Sequence, residues 1–264
     1  MEVINFIKRS RKDMKKLMMI CAACLVLFNA CKRDEYYIDG GKANPDYPGN
    51  MYQYLQAKKV PFDSVAKIIK LAGMEEQFSK EDFTFFAFDD EVIKKTIGDI
   101  HSYDQGRQPR VLSLNQMLYS SGKDTIKTLD QVNPAIWKKY IQRYMFKGIN
   151  RLKDYPQIDM DLRSIYPGSL HYDYNNEVSN IGVVFYDANG VKYIGYRQLV
   201  MTYIPDISKP NDSWNPSYVA SSDVKPTNGV VHTLRFQDSY LGFNISEIFS
   251  DVYSTGLLPS QGAN

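Results

Sequence analysis

The 264-residue sequence predicts an α+β domain in which helices pack on a sandwich or wedge of short strands. Three observations carry this. Residues 61–74 place apolar side chains at helical spacing, residues 83–88 form an aromatic run of strand length, and residues 169–204 are rich in β-branched and aromatic residues around an Asn-Gly pair.

The first segment precedes that domain. From Met14 through Lys15 and Lys16 into "LMMICAACLVLF" the chain has a short positive start, an apolar stretch and the small residue Ala30 just before Cys31. The stretch is short for a membrane span. An ordinary secretory signal would leave nothing in the membrane, whereas a cysteine at the cut site offers a thiol that can carry lipid. Residues 1–30 therefore resemble a bacterial lipoprotein signal peptide, with Cys31 as the lipid attachment site. Phe28 and Asn29 depart from the usual lipobox, but the lipoprotein signals of Bacteroidetes are permissive there. The charged "KRDE" at Lys32–Glu35 resembles the acidic export signal of that phylum, the alternative being a solvated tether that happens to be charged. These resemblances imply a lipid-anchored protein of the outer membrane, exposed at the cell surface. The start codon is open between Met1 and Met14.

Composition narrows the partners. The whole chain carries 32 Lys/Arg and 30 Asp/Glu; without the six basic and two acidic residues of the leader, 26 and 28 remain, a formal charge of −2. A near-neutral body lacks the basic stripe that nucleic acid requires and any electrostatic membrane patch, so the lipid is the expected membrane contact. Cys21, Cys24 and Cys31 all lie in the leader or at its end, so the mature chain has neither a disulfide nor a thiolate metal site. Roughly 230 residues suffice for one substantial core without staples. The 20 tyrosines fit both strand filler and contact residues, and by themselves decide nothing.

Residues 31–50, rich in Gly, Pro, Asn and Asp, have the composition of a flexible tether, and a single domain is expected over 51–264. In "PFDSVAKIIKLAGM", Val65, Ile68, Ile69 and Ala72 fall at i, i+3, i+4 and i+7, with Gly73 as C-cap. Phe83–Phe88 then reads as a buried strand, and Asp89 or Asp90 can cap a following helix. "NPAIWKKYIQRYMFKG" predicts a helix with Asn133 as N-cap, Pro134 in the first turn, an apolar face of Trp137, Tyr140, Ile141, Tyr144 and Met145, and Gly148 closing it. Within 169–204, Asn189-Gly190 supplies the two positive φ angles of a tight hairpin. A loop-rich stretch is expected over 205–229, then the strand "VVHTLRF" and a last helix capped by Asn244.

Two stretches resemble the motifs of fasciclin domains. "FTFFAFDDEVI" at Phe83–Ile93 is similar to the first motif, matching at Thr84, Phe86, Ala87 and Glu91, with Phe88 where proline is usual. "TNGVVHTLRF" at Thr227–Phe236 is similar to the second, matching at Asn228, Gly229, Val230, Val231 and His232. The resemblance covers most of 51–253 and implies a fasciclin-like fold enlarged by a β-rich insertion near 151–226. The family's Tyr-His pair, associated with adhesion in some members, is absent from "KKYIQRYMF". Phe83, Phe85, Phe86 and Phe88 are expected to fill the interior, Gly229 to supply a turn, and His232 to be a hydrogen-bonded core histidine.

The chemistry-bearing residues do not form a catalytic pattern. His101, His171 and His232 stand singly, without zinc-ligand spacing. Asp159–Asp161 and Asp173–Glu177 offer oxygen ligands but lack the glycine and spacing of a calcium loop. No G-x-S-x-G, P-loop or G-x-G-x-x-G occurs, so neither enzyme activity nor a cofactor nor a metal is expected. The candidate ligand contacts are Trp214, Tyr218, Tyr172 and Tyr174, rings among polar residues that can stack on sugars or anchor a protein; the alternative is that they pack their own loops. The expected function is non-catalytic adhesion, or binding of extracellular protein or polysaccharide. An accessory glycan-binding role in outer-membrane polysaccharide uptake is the alternative, and a glycan-processing enzyme with carboxylates in the insertion is a third possibility.

Overall fold

The structure, a computed structural model, describes residues 44–98, 112–210, 212, 214–235 and 239–260. The leader, Cys31, most of the tether and His101 lie outside the described residues.

Residues 45–50 are not tether but part of the domain. The Lys225 amide donates to the Pro45 carbonyl at 2.7 Å, the Tyr47 amide to the Lys225 carbonyl at 2.9 Å, and the Thr227 amide to the Gly49 carbonyl at 2.9 Å. The Tyr47 ring packs edge-on against Tyr54, 5.3 Å away. Gly, Pro and Asp gave this segment a linker composition, but its backbone is taken up by the chain entering the last strand.

Helix α1 (Met51–Ala57) opens with a capping box in which Asn50 and Gln53 satisfy each other's backbone amides at 2.8 and 2.9 Å. Helix α2 (Lys59–Leu71) buries Val65, Ile68 and Ile69 as its periodicity predicts, and Gly73 follows at φ +67°. After the short α3 (Glu75–Lys80), strand β1 (Phe83–Ala87) is buried along its whole length, and α4 (Asp90–Ile97) follows. Both candidate caps are used, on different helices. The Asp89 side chain accepts from the Val92 amide of α4 at 3.0 Å, whereas Asp90 reaches across to the amides of Asp63, Ser64 and Val65 in α2, at 3.0, 2.7 and 3.2 Å.

Helices α5 (Leu114–Ser120) and α6 (Pro134–Gln142) complete this layer. The helix expected to run to Gly148 stops six residues earlier, and Met145–Lys147 is strand β2, antiparallel to β1. The Tyr144 carbonyl accepts from the Phe86 amide at 2.9 Å, so the sheet has already captured the backbone there. Gly148, at φ +85°, ends a strand rather than a helix.

The remaining strands are β3 (Gln157–Ile158), β4 (Ser169–Tyr172), β5 (Val178–Phe185), β6 (Arg197–Ile204), β7 (Pro216–Val224) and β8 (Gly229–Leu234), and helix α7 (Ile245–Thr255) closes the chain. Strand β7 lies inside the stretch expected to be loop, and Ser217–Val219 is held between β6 and β8. Between β5 and β6, Asn189 at φ 52° and Gly190 at φ 77° make the expected turn, with Ala188 and Val191 exchanging backbone hydrogen bonds across it.

The strands form one eight-stranded mixed sheet in the order β2-β1-β8-β7-β6-β5-β3, with β4 also on β5. A bridge between Phe146 of β2 and Asp173, just past β4, brings the ends together, so the sheet curls on itself. Strands β1 and β8 pair in parallel from Phe83 with Gly229 to Ala87 with Thr233. The observed class is α+β, as the sequence predicts. Ile181, Val183, Leu199, Met201 and Val219, from the region expected to be an insertion, share one core with Phe83, Phe85, Phe86 and Phe88. Strands β3 to β7 of that region belong to the same sheet as β1 and β8.

Candidate functional site

The end of α6 places a guanidinium inside the protein. Tyr140, Arg143 and Tyr144 fall on the apolar side of the helix and its exit, and all three are 0% exposed. Arg143 donates from Nε to Glu177 Oε2 at 2.6 Å, from Nη2 to Glu177 Oε1 at 2.9 Å and to Glu247 Oε1 at 2.6 Å, and from Nη1 to the Gly242 carbonyl at 2.9 Å. Its charge also lies over the Tyr140 and Tyr203 rings, 4.9 and 4.6 Å from their centroids. Burial opposes the charge, but hydrogen bonds to the two glutamates outweigh burial and raise its pKa. Around the rim, Lys139 binds Glu247 at 3.0 Å and Asp251 at 2.8 Å, and the Tyr140 hydroxyl donates to Asp251 at 2.7 Å.

Beside this cluster lies a cleft of about 340 Å³ between the end of β6 and the start of α7, with Tyr203, Asn215, Tyr240, Phe243, Asn244 and Ile245 among its walls. The rings of Tyr203 and Phe243 are nearly parallel, 11° apart with centroids at 5.5 Å. Asn244 caps α7, its oxygen accepting from the amides of Ser246 and Glu247 at 3.0 and 3.3 Å.

The four rings expected as ligand contacts are not gathered into one site. Tyr172 is exposed on β4, whereas Tyr174, in the following turn, packs its ring 5.9 Å from Phe83. Strands β5 and β6 separate these two from Tyr218 on β7. Arg235 lies 4.8 Å over the Tyr218 ring, and Arg163 lies 4.5 Å over Trp214, whose buried indole nitrogen has no hydrogen-bond partner among the described residues.

The titratable groups singled out in the sequence are engaged in the fold. His232 is fully buried, its Nδ1 accepting from the Asp223 amide at 3.2 Å and its Nε2 2.9 Å from the Asn150 carbonyl, which assigns the Nε2–H tautomer. Burial lowers its pKa to about 4, so the ring is neutral. His171 Nε2 lies 2.7 Å from Ser169 Oγ, which also lies 3.2 Å from the Ile181 carbonyl, so the serine hydroxyl is shared between the imidazole and the sheet backbone. Asp159 accepts from the amides of Asp161 and Leu162 and from the Tyr193 hydroxyl. Asp173 Oδ1 accepts from the amides of Asn175 and Glu177 at 2.7 and 3.0 Å, while its buried Oδ2 has no partner among the described residues. Burial pushes the Asp173 pKa up to about 6.

Sequence reasoning missed Arg143 and the cleft. A basic residue at i+3 from one tyrosine and next to another, on an apolar helix face, was the available signal for the former. The cleft is assembled from three distant segments and leaves no local pattern.

No family model matches the chain, and no curated protein matches it. Among solved structures it is similar to a FAS1 domain pair from the insect cell adhesion molecule fasciclin I, at 14% identity and a TM-score of 0.42, over 71% of this chain. The match spans 50% of that chain, about half its length.

Proposed function

We propose that this chain is a fasciclin-like, non-catalytic binding protein, held at the bacterial outer surface by lipid on Cys31, where it mediates adhesion or binds protein or glycan. The observation that carries the reading is the parallel pairing of β1 with β8, which sets the two motif-like stretches side by side as adjacent interior strands of the sheet. Motif residues fill the core there: Phe86 and His232 are in register, with ring centroids 5.0 Å apart. Asn228 ties the second stretch to α1 through the Met51 amide, and to α3 and the approach to β1 through the Phe78 and Glu81 carbonyls. The non-catalytic part rests on the use of His171, His232, Asp159 and Asp173 in packing and turn geometry.

The experiment follows the protein in its host cells. Wild type should incorporate labelled palmitate, sediment with membranes and be shaved from intact cells by protease, while Cys31→Ala should lose the label and leave the membrane fraction. Lipid incorporation persisting in that variant, or protection from protease until lysis, would remove the surface anchor. Binding by purified protein to host or bacterial surfaces without turnover of a glycan panel is expected; turnover abolished by one carboxylate substitution would overturn the non-catalytic reading.

A further inference from the structure

We infer that the cleft between β6 and α7 is a binding site for a short stretch of an uncharged polysaccharide, a ligand class that deepens the binding function proposed above and rests on it.

The walls carry the chemistry a pyranose needs and little else. Tyr203, Tyr240, Phe243 and Ile245 supply apolar surface for the C–H faces of a sugar ring. Tyr203, Tyr240, Asn215 and Asn244 supply hydroxyl and amide groups for its hydroxyls. Among the described residues, the Tyr203 and Tyr240 hydroxyls and the Asn215 amide have no hydrogen-bond partner, and Asn244 uses only its oxygen as a cap. Burial raises the pKa of both tyrosines, so their hydroxyls stay protonated and able to donate.

Charge selects against other small ligands. Among the described residues, none of those lining the cleft carries a carboxylate, an ammonium or a guanidinium. Of the cations beside the cleft, Arg143 is occupied by Glu177, Glu247 and the Gly242 carbonyl, and the Lys95 ammonium is engaged by the Tyr240 ring and the Ser239 carbonyl, so neither is set to receive a phosphate or carboxylate. Glu247 in turn is held by Arg143 and Lys139, so it does not invite a cation.

The walls are also set in advance. Arg143 lies over Tyr203, Phe243 lies beside Tyr203 and 4.8 Å from Tyr144, and Lys95 lies 4.7 Å over Tyr240. Rings held in this way lose little freedom on binding. At about 340 Å³ the cleft is at the small end of ligand pockets, ~300–1,000 Å³, which suits a short segment of a longer polymer.

Affinity electrophoresis of the detergent-solubilised full chain through gels containing dextran, pullulan or galactomannan tests this. At least one of these should retard wild type. Asn215→Ala and Tyr240→Phe should each weaken that retardation about tenfold while melting with wild type, and Tyr119→Ala, exposed on α5 outside the cleft, should leave it unchanged. Retardation by none of the three, or only by an anionic polysaccharide, would overturn the ligand class, while cell adhesion by the same protein would keep the broader function standing. Retardation that survives both cleft variants would overturn the site but not glycan binding. A proline-rich peptide bound in the cleft and lost in Asn215→Ala would replace the polysaccharide with a protein partner.

Discussion

Arg143 grips Glu177 through two parallel hydrogen bonds, 2.6 and 2.9 Å long, from a side chain that is 1% exposed. The pair ties the end of α6 to the turn between β4 and β5, and the shared contact to Glu247 adds α7. Three segments remote in sequence therefore meet on one guanidinium, next to the cleft.

Replacing Arg143 should be costly because it strands Glu177 and leaves Glu247 with Lys139 alone. Arg143→Met is expected to lower stability by about 3–5 kcal/mol, since breaking a buried pair leaves uncompensated charge. Arg143→Lys should recover little, because an ammonium cannot form the bidentate contact. Denaturant unfolding measures both. A methionine variant as stable as wild type would make the cluster incidental.

Two sets of carboxylates in this region should shift stability with pH in opposite senses. Burial alone would raise the pKa of Glu247 and Asp251, but Arg143 and Lys139 on the former, and Lys139 and Tyr140 on the latter, outweigh it and hold both below their ordinary values. Their contribution is present above the unfolded values, about 4, and is lost as pH falls through the folded ones. Asp173 is the reverse. With a folded pKa of about 6 it binds its proton more tightly than the unfolded chain does, so its contribution falls as pH rises from about 4 to 6. Asp173→Asn keeps an acceptor for the turn amides and should raise stability at pH 7 by about 1–3 kcal/mol, with a smaller gain at pH 4. Thermal melts at both pH values check it; equal gains would show that Asp173 titrates normally.

What was legible in the sequence follows from how local each signal is. The α2 face, the Asp89 and Asn244 caps and the Asn189-Gly190 turn depend on neighbours a few residues away, and all are found. The helix end before Tyr144 was hidden because Tyr144, Met145 and Phe146 continue an apolar pattern that suits either state, and the deciding hydrogen bond comes from Phe86. Strand β7 was hidden by its proline, serines and aspartate, and two register shifts break its alternation; its partners are supplied by β6 and β8. The capture of residues 45–50 by Lys225 and Thr227 was invisible for the same reason.

Asn228 and Gly229 should tolerate almost nothing. The Asn228 oxygen accepts from the Met51 amide at 2.7 Å and its nitrogen donates to the Phe78 and Glu81 carbonyls at 3.0 and 2.9 Å. Asn228→Ala should cost about 2–4 kcal/mol by leaving those groups unpaired, and Asn228→Asp more, because a carboxylate would face two carbonyls. Gly229 sits at φ +144°, and a Cβ there would lie 2.1 Å from the Phe83 carbonyl oxygen, so Gly229→Ala should strain the β1–β8 junction itself. Denaturation midpoints rank the three. Asn228→Asp as stable as wild type would show that the donor half of the amide is dispensable.

Trp214 and Tyr172 should separate packing from contact. The Trp214 ring is half-buried beneath Arg163, so Trp214→Ala should lower stability by about 1–3 kcal/mol through lost packing and the lost cation–π contact. Tyr172 is 64% exposed on β4, and Tyr172→Ala should leave the melting temperature at the wild-type value. Melting and surface binding measured on the same two variants give the comparison its force. Should Trp214→Ala melt with wild type yet lose binding, the indole would be a recognition residue, and the loop before β7 would join the cleft as a contact surface. Should Tyr172→Ala alone lose binding, the ligand would lie along β4, with β5 between it and β6.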